Sequence, residues 1–207
     1  ILDGATGSNL RKAGMPVGIS SEQWVLENPS VLQELQRAYV DAGSQIVYAP
    51  TFAANPISLR NFNLQEPVAE LNPKLVKICK DGIGNRALVA GDITTTGQLM
   101  EPRGTLTYNE LYEAYQEQMK ALVDAGVDLF VAETMLSVDE PVVALDAAQA
   151  VCDLPMICTL SLEADGSAMY GGLRDGTGVA GGICRSEKRR GKMCSGYFHF
   201  WGVERRC

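Results

Sequence analysis

The chain has 207 residues, 46% hydrophobic and 21% charged, with a formal net charge of −7. That length suits one large domain or two small ones with a sizeable core, and no apolar run approaches the roughly 18 residues of a membrane span. Residues 178–207 hold seven Lys/Arg against two Glu, while 1–177 hold eleven against twenty-three acidic residues, so the acidic body excludes nucleic acid as its main partner.

The chain opens at Ile1 inside a short run that reads as a strand, 1–3, and an N-terminal segment is expected to precede it. A helix follows from Asn28-Pro29, proline suiting a first turn, with Leu32, Leu35, Tyr39 and Ala42 on one face and Gly43 as its stop. A second strand is expected at 45–49. A second helix is placed from Asn72-Pro73, with Leu75, Ile78 and Cys79 inward and an end near Gly82. A strand at 87–93 comes next. The third helix starts on the capping box Thr107-x-x-Glu110, faces inward with Leu111, Tyr115, Met119 and Leu122, and ends at Gly126. A strand at 128–132 leads to a helix that starts on Ser137-x-x-Glu140 and runs to about Val151, and a fifth strand spans 156–162. Strands alternating with helices through short connections imply an α/β fold with a parallel sheet. "YVDAGSQIVYAPTF" and "VDAGVDLFVAETM" repeat one pattern, Asp41, Ala42, Gly43, Ala49 and Thr51 falling on Asp124, Ala125, Gly126, Ala132 and Thr134. A barrel and an open doubly wound sheet both fit. No GxGxxG follows the first strand, which weakens the dinucleotide option, while a full eight-unit barrel needs about 250 residues.

In β/α folds polar residues gather where strands end. Here Asp3 with Gly4, Ala5, Thr6 and Gly7 follows the first strand, Thr51–Asn55 the second, Asp92 and Thr94 the third, Glu133 and Thr134 the fourth, and Thr159 and Ser161 the fifth. Any one such carboxylate could cap the next helix or pair with a lysine. Three together repel, so Asp3, Asp92 and Glu133 call for a shared cation, a metal or an ammonium group. Glycine beside Asp3 leaves backbone N–H groups able to hold an anion. An ammonium site beside an anion nest describes the head group of an amino acid.

The segments "LDGATGSNL", "ENPSVLQELQRAYVDAGSQIVYAPTFAAN", "ELNPKLVKI", "VAGDITTTGQL" and "LVDAGVDLFVAETM" resemble the homocysteine S-methyltransferase domain, which stands alone or begins cobalamin-dependent methionine synthase. The likeness runs from Ile1 to about Asp175. It implies a (β/α)8 barrel, incomplete here at about five β/α units plus an atypical tail. It implies a cytoplasmic enzyme that moves a methyl group onto the homocysteine thiolate to give methionine. The donor stays open between methylcobalamin, a methylated folate route, S-methylmethionine and a betaine, and the resemblance leaves open a longer parent protein with folate and cobalamin modules. By the resemblance, Asp3 and Glu133 hold the substrate amino group, Gly4 and Ala5 offer N–H groups to its carboxylate, Thr51, Phe52 and Asn55 line the pocket, and Asp92 and Thr134 stand behind them.

The family's zinc is held by three cysteines, in a G-x-N-C segment and a G-G-C-C segment, because Zn²⁺ stabilises the thiolate at neutral pH. Neither segment is in this sequence, so no metal ligand is assigned and methyl transfer is expected to be impaired. The competing reading is a non-catalytic, amino-acid-binding remnant. Past "SLEADGSAMYGGLRDG" the text loses all periodicity. The expected domain is therefore 1–177, and 178–207 reads as another frame or an unrelated end. Cys184, Cys194, His199 and Cys207 there have no zinc spacing. Its aromatic residues, Tyr197, Phe198, Phe200 and Trp201, lie among charges but are weak grounds for nucleic-acid binding. Cys79, Cys152 and Cys158 are taken as ordinary apolar residues in a reducing compartment.

Overall fold

Gly43 and Gly126 lie at matching positions within the two repeated segments in left-handed backbone, at φ +104° and +77°, where other residues are strained. The helix before each stops there, and a strand begins within a few residues. The computed structural model in which this is seen describes residues 1–161. The expectations for 178–207, the boundary at 177 and the last residue of the fifth strand lie outside the described residues. Along the chain run α1 (Gly7–Lys12), α2 (Ser21–Glu27), α3 (Pro29–Asp41), β1 (Ile46–Tyr48), α4 (Pro56–Asn61), α5 (Val68–Ile83), β2 (Leu88–Thr94), α6 (Tyr108–Asp124), β3 (Leu129–Met135), α7 (Asp139–Val151) and β4 (Met156–Leu160). The strands form one sheet in the order β1-β2-β3-β4. β1 pairs parallel to β2 in the register Ile46↔Leu88, Val47↔Val89 and Tyr48↔Ala90. At least one helix joins each neighbouring pair, as parallel strands require.

The expected first strand is a single bridge, Leu2 to Ile46. The N–H groups of Gln45 and Ile46 both donate to Ile1 O, but the next donor along β1, Tyr48 N–H, goes to the Asp3 carboxylate at 2.9 Å. A side chain has replaced the carbonyl that would have extended the ladder.

The chain divides into two compact units, Ile1–Ile93 with Glu117–Phe130, and Thr94–Gln116 with the chain from Val131 on. In the first, Leu10, Trp24, Val25, Leu32, Leu59, Leu71 and Leu75 form a buried cluster, and α3 packs on α5. In the second, Val138, Val143, Ala144, Ala147 and Leu160 are buried. The face of α6 is as its period predicts. Leu111, Tyr115, Met119 and Leu122 are all fully buried, each stabilising the fold by roughly 1.5–3 kcal/mol. The box at its start is reciprocal, Thr107 N–H donating to Glu110 at 2.9 Å and Glu110 N–H to the Thr107 hydroxyl at 3.2 Å.

Three differences from expectation have physical causes. α5 begins at Val68, a turn before Asn72-Pro73. Pro67 O accepts from the N–H groups of Glu70 and Leu71, and the apolar spacing Val68, Leu71, Leu75 carries Pro73 inside the helix. On α3 the buried line is Leu32 and Gln36, with Leu35 and Tyr39 half-buried and Ala42 exposed. Gln36 is buried because its Nε2 donates to Tyr48 O at 2.9 Å. The short helices α1, α2 and α4 were not expected. α2 is capped by Ser20, whose side chain accepts from Gln23 N–H.

Candidate active site

The residues expected in the site fall on both units, and each unit is built differently. In the first, Asp3 is half-buried and receives the Tyr48 N–H. Ala5 O accepts from Tyr39 Oη at 2.9 Å and from Asn9 Nδ2 at 2.6 Å, which fixes the loop after Asp3. Gly4 lies so close to Tyr39 that an added Cβ would sit 2.9 Å from its ring. Only glycine lets the chain pass there without moving that ring.

The segment after β1 is held from several sides by buried polar groups. The Thr51 hydroxyl, fully buried, donates to Asp92 O at 2.9 Å and accepts from Asp92 N–H at 3.0 Å. Thr51 O accepts from Gln118 Nε2 of α6 at 2.7 Å. Ala53 N–H donates to Glu22 of α2 at 2.8 Å, and Ala54 O accepts from Asn72 Nδ2 of α5 at 2.9 Å. Glu22 is only 1% exposed and also accepts from the hydroxyls of Ser20 and Ser21. Asn55 caps α4, its Oδ1 accepting from the N–H groups of Ile57 and Ser58. The Thr51 hydroxyl and the Asn55 side chain are thus engaged in holding the backbone. Phe52, half-buried between two clamped peptides, is the residue of this segment whose side chain is left to present. Asp92 is buried on β2 beside Thr51.

In the second unit Glu133 lies half-buried within β3, two residues before the strand ends at Met135. Burial alone raises its pKa above the ordinary carboxylate value, and among the described residues no donor meets its carboxylate. Its backbone is tightly placed. Thr94 Oγ1 donates to Glu133 O at 2.9 Å, and Thr134 N–H donates to Thr159 Oγ1 at 3.0 Å. Thr134 adopts φ +57°, left-handed backbone that a β-branched residue rarely takes. Tyr115 Oη donates to Thr94 O at 3.1 Å, so the threonine that holds Glu133 is itself held. Sequence reasoning placed Thr94 and Thr159 at strand ends without giving them this task. It missed Glu22, Gln36, Asn72 and Gln118 altogether.

Zinc does not fit the described residues. No three His, Cys, Asp or Glu side chains among them gather into a metal-holding group. Burial pushes the Cys79 thiol up to about 12, against a lowering hydrogen bond from Gln36, and pushes Cys158 to about 12 as well. A zinc ligand must be a thiolate, and these environments favour the thiol.

Residues 1–193 match the family model of homocysteine S-methyltransferase. The chain belongs to the homocysteine S-methyltransferase family. Its fold is similar to that of the homocysteine methyltransferase MmuM from Escherichia coli. The oxidized form gives a TM-score of 0.69 at 21% identity, over 83% of this chain and 65% of that one. The apo form gives 0.61 at 21% identity, over 82% and 61%. The carboxyl transferase domain of Rhizobium etli pyruvate carboxylase with pyruvate gives 0.51 at 14% identity, over 83% of this chain and 24% of that one. The family member described here thus shares the α/β architecture of the TIM-barrel-like methyltransferases and spans less than two thirds of MmuM's length.

Proposed function

We propose that this chain carries the amino-acid-binding part of a homocysteine S-methyltransferase. Homocysteine is the substrate and its thiolate sulfur the methyl acceptor, giving methionine. Asp3 and Glu133 take the substrate ammonium, the N–H groups of Gly4 and Ala5 take its carboxylate, and Phe52 lines the pocket. Thr51, Asn55, Asp92 and Thr134 hold the backbones that carry these groups. The observation behind the reading is the state of Glu133: a half-buried carboxylate without a described donor, next to the strained Thr134 near the end of β3, in a chain matched to this family. Such a carboxylate is poised to gain from an incoming cation. The methyl donor is unassigned, and no step is drawn through a metal. In this reading methyl transfer by the 207-residue chain is weak or absent, and amino-acid binding persists. A cytoplasmic setting agrees with the free Cys79, Cys152 and Cys158, and no described helix is long and apolar enough to cross a membrane.

Calorimetric titration with homocysteine and with methionine, alongside a methyl-transfer assay, tests the proposal. Binding is expected, with Glu133→Gln and Asp3→Asn each weakening it by about tenfold or more, the scale of one charge-assisted contact. Because burial raises the Glu133 pKa, affinity should begin to fall on acidification above the ordinary glutamate value of 4.5. Binding without turnover keeps the binding half of the reading and favours the non-catalytic alternative. Absence of binding for both amino acids overturns it.

A further inference from the structure

The helix-start motif [ST]-x-x-E occurs twice in the chain, and its two glutamates have opposite fates. Glu110 is exposed and closes the box at the start of α6. Glu140 is 3% exposed. Its helix does not need it there, since an ordinary capping box works in solvent. Burying a carboxylate is unfavourable unless several donors meet it, so the burial calls for an explanation beyond capping.

The partners supply one. Thr95 Oγ1 donates to Glu140 Oε1 at 2.6 Å. On the other side Ser137 Oγ accepts from Glu140 N–H at 3.3 Å, and the polar groups of Leu136, Thr96 and Ser137 favour the charged form of the carboxylate. Glu140 therefore joins the segment after β2 to the segment between β3 and α7, by its carboxylate on one side and its N–H on the other. The strand ends that hold Glu133 lead into these two segments. Thr94, one residue before Thr95, donates to Glu133 O, and Thr134, two residues before Leu136, carries the left-handed φ. Burial outweighs these polar contacts and still raises the Glu140 pKa.

We propose that Glu140 is a positioning residue that locks together the segments following β2 and β3 and so fixes the direction in which Glu133, near the end of β3, meets its ligand. The ligand part rests on the reading of Glu133 given above. The latch itself does not, and two measurements separate them. The first is amide hydrogen exchange across 94–97 and 133–137. Glu140→Gln, which places an amide N–H₂ among donors, should speed exchange in both segments, Thr95→Val should do so less, and Thr95→Ser, keeping the hydroxyl, should match the parent. The second is homocysteine affinity by calorimetry. It should weaken about tenfold in Glu140→Gln and a few-fold in Thr95→Val, and recover in Thr95→Ser. If Glu140→Gln does not fold, the Thr95 pair carries both measurements. Unchanged exchange at 133–137 in Thr95→Val and Glu140→Gln overturns the latch. Faster exchange with homocysteine affinity within twofold of the parent overturns its bearing on Glu133 and leaves a purely structural role. A parent chain that binds no homocysteine defeats the functional reading alone, and exchange then decides the latch by itself.

Discussion

The chain after β1 and the last residues of β3 both carry candidate site residues, and they are held in opposite ways. From Tyr48 to Asn55 nearly every polar group meets a buried partner: Asp3, Gln36, Gln118, Glu22 and Asn72 reach in from five different segments. The partners are side chains, so the segment stays irregular while its backbone is satisfied, as burial requires. The stretch at Glu133–Thr134 has two threonine hydroxyls and the Glu140 latch, and it keeps a left-handed threonine and a carboxylate raised in pKa by burial. One region has its backbone polar groups answered, at the cost of leaving Gln36 Oε1, Asn72 Oδ1 and Gln118 Oε1 buried without a hydrogen-bond partner among the described residues. The other carries strain and a carboxylate that no described donor meets, the signature of a place shaped for something other than stability.

The largest effect is expected where the first region is broken. Glu22→Ala removes the acceptor of Ala53 N–H and of two serine hydroxyls, at a carboxylate that is itself almost without solvent. The loss should be about 2–3 kcal/mol, read as a lowered midpoint in chemical denaturation. Thr51→Val keeps the shape and removes both bonds to the Asp92 backbone, for about 1–2 kcal/mol. A cost near zero for either would mean the segment is not clamped as described.

The two regions also differ in how far the sequence reveals them. Strand ends and the α6 face are legible because hydrophobic period and capping residues act locally. The clamps are not, because a glutamine reads as solvent-facing. Yet Gln36 lies four residues after Leu32, and Gln118 lies three after Tyr115 and four before Leu122, each within a buried stripe. A polar amide in such a stripe is a signal for a buried backbone partner. The three Asn-Pro pairs show the limit of a local signature. Asn28-Pro29 and Asn55-Pro56 both begin helices, and Asn72-Pro73 lies inside one because the apolar spacing around it extends further back. Asn55 was read as lining a pocket although the same signature marked it as a cap. Asp3 and Glu133 were legible as strand-end acids, but the strain at Thr134 was not, since nothing in Glu-Thr-Met predicts positive φ.

A smaller effect, of opposite sign, is expected at Glu133. Its folded pKa is raised, so the contribution of the folded site is fully present below the unfolded value near 4.5 and is lost as pH rises through the folded value. At neutral pH the charged form therefore destabilises the fold, and Glu133→Gln should raise the melting midpoint there. The gain should shrink on acidification and vanish below pH 4.5. A variant that loses stability at neutral pH would place Glu133 with the clamped groups.

The smallest effect separates strain from fixation at Thr134. Holding an L-residue in left-handed backbone is unfavourable by roughly 1–2 kcal/mol, and glycine removes that term while adding flexibility to the unfolded chain worth about 0.5–1 kcal/mol. Thr134→Gly should therefore stabilise the protein by less than about 1 kcal/mol. It also frees the peptide that follows Glu133, so homocysteine affinity should fall while the midpoint rises. Asparagine tolerates the same φ but keeps the backbone restricted. Thr134→Asn should match the gain in stability and leave affinity near the parent value, measured by calorimetry on both variants. If the two variants bind equally well, the fixed direction of Glu133 has no consequence for the ligand, and the end of β3 is strained for a reason unrelated to binding.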